Sequence, residues 1–226
     1  MNSFLASVLD WSEVWAPAIP LVALAFHRRQ PVYLKPVILY LWLAWFLNIL
    51  IDFIWILKKY LPSWLQSNNP FYNIQSLARF FCFSLFFIRL PQTAFPGFRK
   101  ILAVLYVLFL LLDFGFFEHF LNPDHLSGNL LTAEAYLLLA YCMQYYLAEL
   151  REDKEVIATG PYFWVVTGLS IYVVVNFFVF LFYIPLDSLD GQLADNMWNF
   201  HNIAFILFCL FIAKAFYVPV GYKPAL

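Results

Sequence analysis

Charged side chains are scarce in this sequence: Asp, Glu, Lys and Arg make up 12% of its 226 residues, while 64% are hydrophobic. A water-soluble domain of this length could not hide so much apolar surface, because its interior is full before the apolar residues are used up. The composition therefore excludes an ordinary soluble domain. The net charge of −1 gives no indication of a nucleic-acid partner, and we expect none.

Recognisable catalytic and metal-binding motifs are also missing. The sequence contains no HExxH or HxxxH pair and no GxSxG nucleophile motif. Its three cysteines, Cys82, Cys142 and Cys209, are odd in number and lie in apolar surroundings, which predicts small core residues and neither a disulfide framework nor a metal site. We expect no cofactor, and motifs assign no catalytic residue and no metal ligand. Residues 1–10 lack a basic segment, so no secretory signal peptide is expected.

Long apolar runs are what the chain has in abundance. Seven of them are each about the length that a helix needs to cross a bilayer: residues 8–26, 36–57, 71–90, 102–120, 131–150, 162–183 and 197–217. The connections between them are short, so no room remains for a second domain. This pattern predicts an all-α polytopic membrane protein in which residues 1–226 form a single seven-helix transmembrane domain surrounded by lipid. Pro17 and Pro20 lie inside the first run and predict a kink there.

The basic residues are distributed unequally between the two predicted sides. Ten Lys or Arg residues fall on one side: Arg28, Arg29, Lys35, Arg89, Arg99, Lys100, Arg151, Lys154, Lys214 and Lys223. The other side has only Lys58 and Lys59, and its connections carry acids instead. Because basic connections stay in the cytoplasm, this asymmetry predicts an N-terminus outside and a C-terminus inside the cell.

Buried polar residues cluster in the predicted outer halves of six helices. The candidate ligand-binding residues are Asn48, Asp52, Gln75, Arg79, Asp113, Glu134, Asn176, His201 and Asn202. Several share a helix face by their spacing, as Asn48 and Asp52 do at i and i+4. A charge at membrane depth is costly, so such faces turn inward and pair with one another. We therefore expect a polar pocket in the outer half of the bundle, open towards the outside.

The charge of Arg79 needs a partner, and three acids are available from three other helices: Asp52, Asp113 and Glu134. One guanidinium against three carboxylates leaves an excess of negative charge, unless an acid is protonated, a histidine is charged or a cation binds. The plainer interpretation, that these polar groups only hold helices together, stays open for each Asn or Gln taken singly.

Several functions can be weighed against such a pocket. A rhodopsin needs a Schiff-base lysine at mid-membrane, and the helix-7 lysine, Lys214, lies too near the cytoplasmic end. Transport requires access to both faces, which the apolar inner half opposes. We favour a membrane-embedded sensor or small-ligand-binding protein that signals through a partner, and a non-enzymatic role. The alternative is an intramembrane lipid hydrolase, metal-dependent or not, that uses the same acids and histidines.

Three segments carry a resemblance to a known group of proteins. They are "NPFYNIQSLARFFCFSLFF", "YFWVVTGLSIYVVVNFFVFLF" and "MWNFHNIAFILFCLFIAKAFY". Together they resemble small seven-helix bacterial membrane proteins, some of which are encoded beside sensor histidine kinases. The resemblance implies a location in the bacterial inner membrane and a sensory role with a histidine kinase or another signalling partner.

Overall fold

The computed structural model describes residues 3–62, 66–91, 95–117, 126–151, 160–187 and 191–218. Within these ranges the regular structure is helical, which confirms the all-α prediction for the described part of the chain.

The first apolar run is divided into three short helices. They are α1 (Ser3–Asp10), α2 (Ser12–Trp15) and α3 (Ala18–Phe26). The break between α2 and α3 falls at Pro17, which has no backbone N–H to continue the helix. The Trp15 indole N–H donates to the Val8 carbonyl at 2.9 Å and ties α2 back to α1. The predicted kink is therefore present, and Ser12 of α2 is buried.

Six longer helices follow. They are α4 (Lys35–Leu57), α5 (Asn69–Arg89), α6 (Pro96–Leu112), α7 (Gly128–Arg151), α8 (Pro161–Asp187) and α9 (Gly191–Tyr217). α6 continues into a π-helical turn, Asp113–Phe117. Prolines occupy the first turns of α4, α5, α6 and α8, where the missing N–H removes no intrahelical bond and the fixed φ favours a helix start.

Five helical segments in the described residues are long and apolar enough to cross a membrane: Val32–Tyr60, Asn69–Arg89, Pro96–Phe117, Pro161–Phe182 and Asn196–Tyr217. The segment Ser12–Phe26 is apolar but shorter, and α7 carries Glu134, Gln144 and Glu149 along its length. The described part of the chain thus has the character of a helical membrane protein, with five candidate spans by length and composition against the seven predicted. The outer faces fit this character, since Trp42, Phe46 and many other large apolar side chains are exposed.

The helices pack around an aromatic core. Phe80 stacks on Tyr106 with ring centroids 3.6 Å apart, and Tyr172 stacks on Phe208 at 5.1 Å. α8 and α9 form the most extensive helix pair. They approach closely at Gly168, where an added Cβ would lie 2.5 Å from the Cβ of Phe211. A small residue at such a contact lets two membrane helices come together.

A buried arginine fixes the connection between α5 and α6. Arg99 Nη1 donates to the carbonyls of Phe87 (2.8 Å) and Leu90 (3.3 Å) at the end of α5. The Tyr141 hydroxyl from α7 donates to the Arg99 carbonyl at 2.6 Å. Arg99 therefore holds the start of α6 against the end of α5, and its bond adds to the one that the Phe87 carbonyl already accepts from the Leu90 N–H.

Candidate polar cavity

Arg79 lies in the interior, and the carboxylate of Glu134 neutralises its charge. Its Nε donates to Glu134 Oε1, and its Nη2 donates to Glu134 Oε2 at 2.7 Å. The Ser76 hydroxyl, one turn earlier on α5, donates to the same Oε2 at 2.5 Å. The third guanidinium edge, Nη1, donates to the Tyr172 hydroxyl of α8 at 2.8 Å. The arginine thus links α5 to both α7 and α8.

A second, partly buried pair joins α2 to α9. His201 Nε2 lies 3.0 Å from Glu13 Oε1, and the Tyr72 hydroxyl donates to Glu13 Oε2 at 3.1 Å. His201 Nδ1 bonds with Asn176 Oδ1. The backbone carbonyl of Glu13 in turn accepts from Asn48 Nδ2 at 2.7 Å. Glu13 therefore contacts three helices from its position beside the α2–α3 break.

The two pairs are connected through Tyr172, whose backbone carbonyl and side-chain hydroxyl bond to different members of one polar network. Asn176 Nδ2 donates to the Tyr172 carbonyl at 2.7 Å, and the Tyr172 hydroxyl accepts from Arg79. The network thus leads from Glu13 on α2 through α9 and α8 to Arg79 on α5 and Glu134 on α7. A network of this kind fixes several helices relative to one another, because each member loses a partner if one helix moves.

The bonds of His201 fix the position of two protons. Asn176 turns its Oδ1 to the ring because its Nδ2 is engaged with the Tyr172 carbonyl. An amide oxygen can only accept, so His201 Nδ1 carries a proton. A proton must also lie between Nε2 and Glu13, whether an imidazolium donates to a carboxylate or a carboxylic acid donates to a neutral ring. The Glu13–His201 bond therefore requires one bound proton.

That proton balances the buried charge. Arg79 and Glu134 cancel each other, and Glu13 with His201 is neutral only while the proton is held. Its loss would leave one uncompensated negative charge among the helices, which is costly at low dielectric. Asp52, partly buried on α4, interacts electrostatically with Glu13 and would add to the repulsion.

A small cavity lies between the two pairs. Its wall includes the polar residues Glu13, Tyr72, Gln75, Arg79, Tyr172 and His201. The volume open to the centres of water molecules is about 20 Å³, which is room for roughly one water. Gln75 is buried in this wall, and its Oε1 has no hydrogen-bond partner among the described residues. A water or a small ligand with a proton to donate would satisfy it.

The cavity lies toward one end of the bundle. Tyr72, Leu126 and Trp198, near the starts of α5, α7 and α9, contribute to its wall. The Ser127 N–H donates to Asn73 Oδ1 at 3.4 Å, which brings the starts of α7 and α5 together. This is the end that the charge distribution predicts to face outside.

The predicted site residues separate into three groups. Gln75, Arg79 and His201 line the cavity. Glu134, Asn176 and Asn48 bond to its wall. Asp52, Asp113 and Asn202 do not line it. Asn202 is buried next to His201, and its Oδ1 has no partner within the described ranges.

Asp113 belongs to a different environment from the one predicted. It lies in a groove of about 670 Å³ between α6, α7 and α8, with Asn129 and Thr132 in the same wall. Asn129 Nδ2 is 3.5 Å from Asp113 Oδ1. Of the three candidate counter-ions, Glu134 pairs with the Arg79 guanidinium, and Asp113 does not line the same cavity.

Glu13 is the site residue that the sequence reasoning missed. Glu13 is an acid inside the first apolar run, between Trp11 and Trp15, whereas the predicted site residues all come from the other six runs. An acid inside an apolar run, next to a proline break, indicates a candidate functional residue. Glu118 and His119, which the sequence predicts to lie near the outer surface, are outside the described residues.

In the part of the chain that the structure describes, no three His, Cys, Asp or Glu residues are grouped so that they could hold a metal ion. Comparisons with protein-family models, curated proteins and solved structures find no match to the chain.

Proposed function

We propose that the chain is a membrane-embedded sensor or small-ligand-binding protein whose ligand, a proton or a small cation, reaches the cavity from outside the cell. The observation that carries this proposal is the 3.0 Å contact between His201 Nε2 and Glu13 Oε1 in the cavity wall, with His201 Nδ1 bonded to Asn176 Oδ1. A bond between these two groups needs a shared proton. Histidine is the side chain whose protonation most readily changes between about pH 5 and pH 8.

The size of the cavity supports a ligand of this kind. Space for roughly one water accepts a proton or a dehydrated monovalent cation, whereas a metabolite would need several helices to separate. The wall offers acceptors in Glu13 and Gln75, and acceptors suit a proton or a cation.

The hydrogen-bonded network supports a switching role. A ligand shifts a conformational equilibrium only if it binds the two states with different affinity. Removing the Glu13–His201 proton would replace a hydrogen bond by repulsion between α2 and α9, and it would leave the Arg79–Glu134 pair in place. α2 and α9 would then move relative to α5 and α7.

Other charged or titratable groups face the Glu13–His201 pair and would tune it. They come from each neighbouring helix: Asp52 on α4, Tyr72 and Arg79 on α5, Glu134 on α7, and Tyr172 on α8.

The output would require a partner protein. The predicted cytoplasmic connections are short, and the resemblance to proteins encoded beside sensor histidine kinases supports a histidine kinase of the bacterial inner membrane as that partner. The lipid hydrolase gains no comparable support, because the cavity is too small for a lipid headgroup and Asp113 lies outside it.

Hydrogen exchange of the protein in lipid nanodiscs tests the proposal. After correction for the intrinsic pH dependence of exchange, α2–α3 and the first half of α9 should exchange faster at about pH 8 than at about pH 5.5. Glu13→Gln and His201→Gln should abolish the difference. The controls are Asp10→Asn, an exposed acid three residues from Glu13, and His27→Gln, an exposed histidine; both should keep it.

A second comparison separates a proton from a small cation. At fixed pH, replacing choline by sodium should slow exchange in the same helices only if a small cation binds. If neither pH nor sodium alters exchange, or if the control variants abolish the effect, the proposal is wrong.

A further inference from the structure

We propose that a groove at the opposite end of the bundle from the polar cavity binds the headgroup of an anionic phospholipid. The groove lies between the end of α3 and the end of α9 and has a volume of about 530 Å³. Its polar wall is His27, Arg28, Arg29 and Gln30, and its apolar wall includes Phe26. It is separate from the network that carries the proposed function.

The shape of the groove is set by contacts between the two helix ends. Gln30 Nε2 donates to the Phe216 carbonyl at 3.1 Å and to the His27 carbonyl at 2.7 Å. The His27 ring lies against the Tyr217 ring, with centroids 4.4 Å apart. These contacts hold the segment after α3 beside the end of α9, so the two arginines are presented at a defined place.

The charges of the groove favour an anion. Within the described residues, neither Arg28 nor Arg29 forms an ion pair. The only bond there of either guanidinium is a long one, from Arg28 Nε to the Ala25 carbonyl at 3.4 Å. The C-terminal ends of α3 and α9 carry partial negative charge, which opposes an anion. Two full positive charges outweigh these partial charges, and Gln30 already occupies the Phe216 carbonyl.

The position of the groove identifies a lipid as the source of that anion. It adjoins the end of Asn196–Tyr217, a segment long and apolar enough to span the bilayer. Val22 and Phe26 lie on α3, just before the two arginines, and are 56% and 76% exposed. A phospholipid can place its phosphate at the arginines and its acyl chains along these apolar side chains, which a free phosphate cannot do. Basic grooves at the membrane boundary bind anionic headgroups in this manner.

Native mass spectrometry measures the proposed binding. The protein is delipidated and then supplied with equal amounts of phosphatidylglycerol and phosphatidylcholine. We expect one phosphatidylglycerol to be retained per chain in preference to phosphatidylcholine. In Arg28→Gln/Arg29→Gln its affinity should fall about 25-fold, because each arginine near a membrane surface contributes roughly a factor of five.

The opposite end of the helix bundle offers a matched control. Lys58 and Lys59 are also an adjacent, exposed basic pair beside a spanning helix, and Lys58→Gln/Lys59→Gln should retain the lipid. Arg28→Lys/Arg29→Lys keeps both charges and should retain most of it. Equal retention of the two lipids, equal losses in both glutamine variants, or displacement of the lipid by millimolar inorganic phosphate alone would overturn the inference.

Discussion

The Arg79 guanidinium and the Glu134 carboxylate meet edge to edge in the interior, with two parallel hydrogen bonds between α5 and α7. Their side chains are 6% and 1% exposed. Such a bidentate pair is stronger and more directional than a single contact between point charges. It joins the two helices at the level of the polar cavity, while Nη1 of the arginine donates to the Tyr172 hydroxyl of α8.

Removing the charge of Glu134 should therefore be costly. We expect Glu134→Gln to lower the free energy of unfolding by about 3–5 kcal/mol, because it leaves a buried guanidinium without its counter-ion. The measurement is thermal or denaturant unfolding of the protein in detergent micelles. The double variant Arg79→Met/Glu134→Gln should be more stable than Glu134→Gln alone. Strictly additive losses would show that the two residues do not interact.

Tyr172 is the partner of the remaining guanidinium edge, since its hydroxyl accepts from Arg79 Nη1. Tyr172→Phe keeps the ring and leaves one buried charged N–H unsatisfied, so we expect a loss of about 1–3 kcal/mol in the same unfolding experiment. The matched control is Tyr146→Phe. The Tyr146 hydroxyl donates to Thr167 in a partly buried position, and its removal should cost less than that of Tyr172. A larger loss for Tyr146→Phe would contradict the assigned role.

The six longer helices could be predicted from the sequence because each follows from a local apolar pattern, whereas the first run, predicted as one segment, is divided into three short helices. The run 36–57 corresponds to α4 and the run 131–150 to α7, with ends that differ by a few residues. The predicted and observed helix starts differ most where a helix begins with residues that precede its apolar run. α6 begins at Pro96, six residues earlier than predicted, because a proline can occupy the first turn of a helix although it is not part of the apolar run.

The partners within the site could not be predicted in the same way. Helix periodicity shows that Arg79 shares a face with Gln75, but the choice among three acids depends on how the helices rotate against each other. Asp113 and Glu134 are equally plausible from their sequence positions. Tertiary packing decides between them, because α5 contacts α7 more extensively than it contacts α6.

The close approach of α8 and α9 makes Gly168 sensitive to substitution. Gly168→Ala would place a Cβ 2.5 Å from Phe211 Cβ and 3.1 Å from its Cγ, so the helices must separate. We expect a loss of about 1–3 kcal/mol from this overpacking, measured as a lower unfolding temperature. Gly97→Ala is the control, since nothing lies within 4 Å of the added Cβ, and it should leave the stability unchanged or raise it. Equal behaviour of the two variants would contradict the contact.

The orientation inferred from the basic residues can be tested by cysteine labelling in intact bacterial cells. Cys82, Cys142 and Cys209 are buried, so they should react little with a membrane-impermeant maleimide. Gln66 is exposed between α4 and α5, and Val32 is exposed just before α4; these positions lie on opposite predicted sides. With the N-terminus outside, Gln66→Cys should be labelled in intact cells, and Val32→Cys should be labelled only after the membrane is opened. The reverse pattern would place the polar cavity on the cytoplasmic side, and the proposed ligand would then have to come from within the cell.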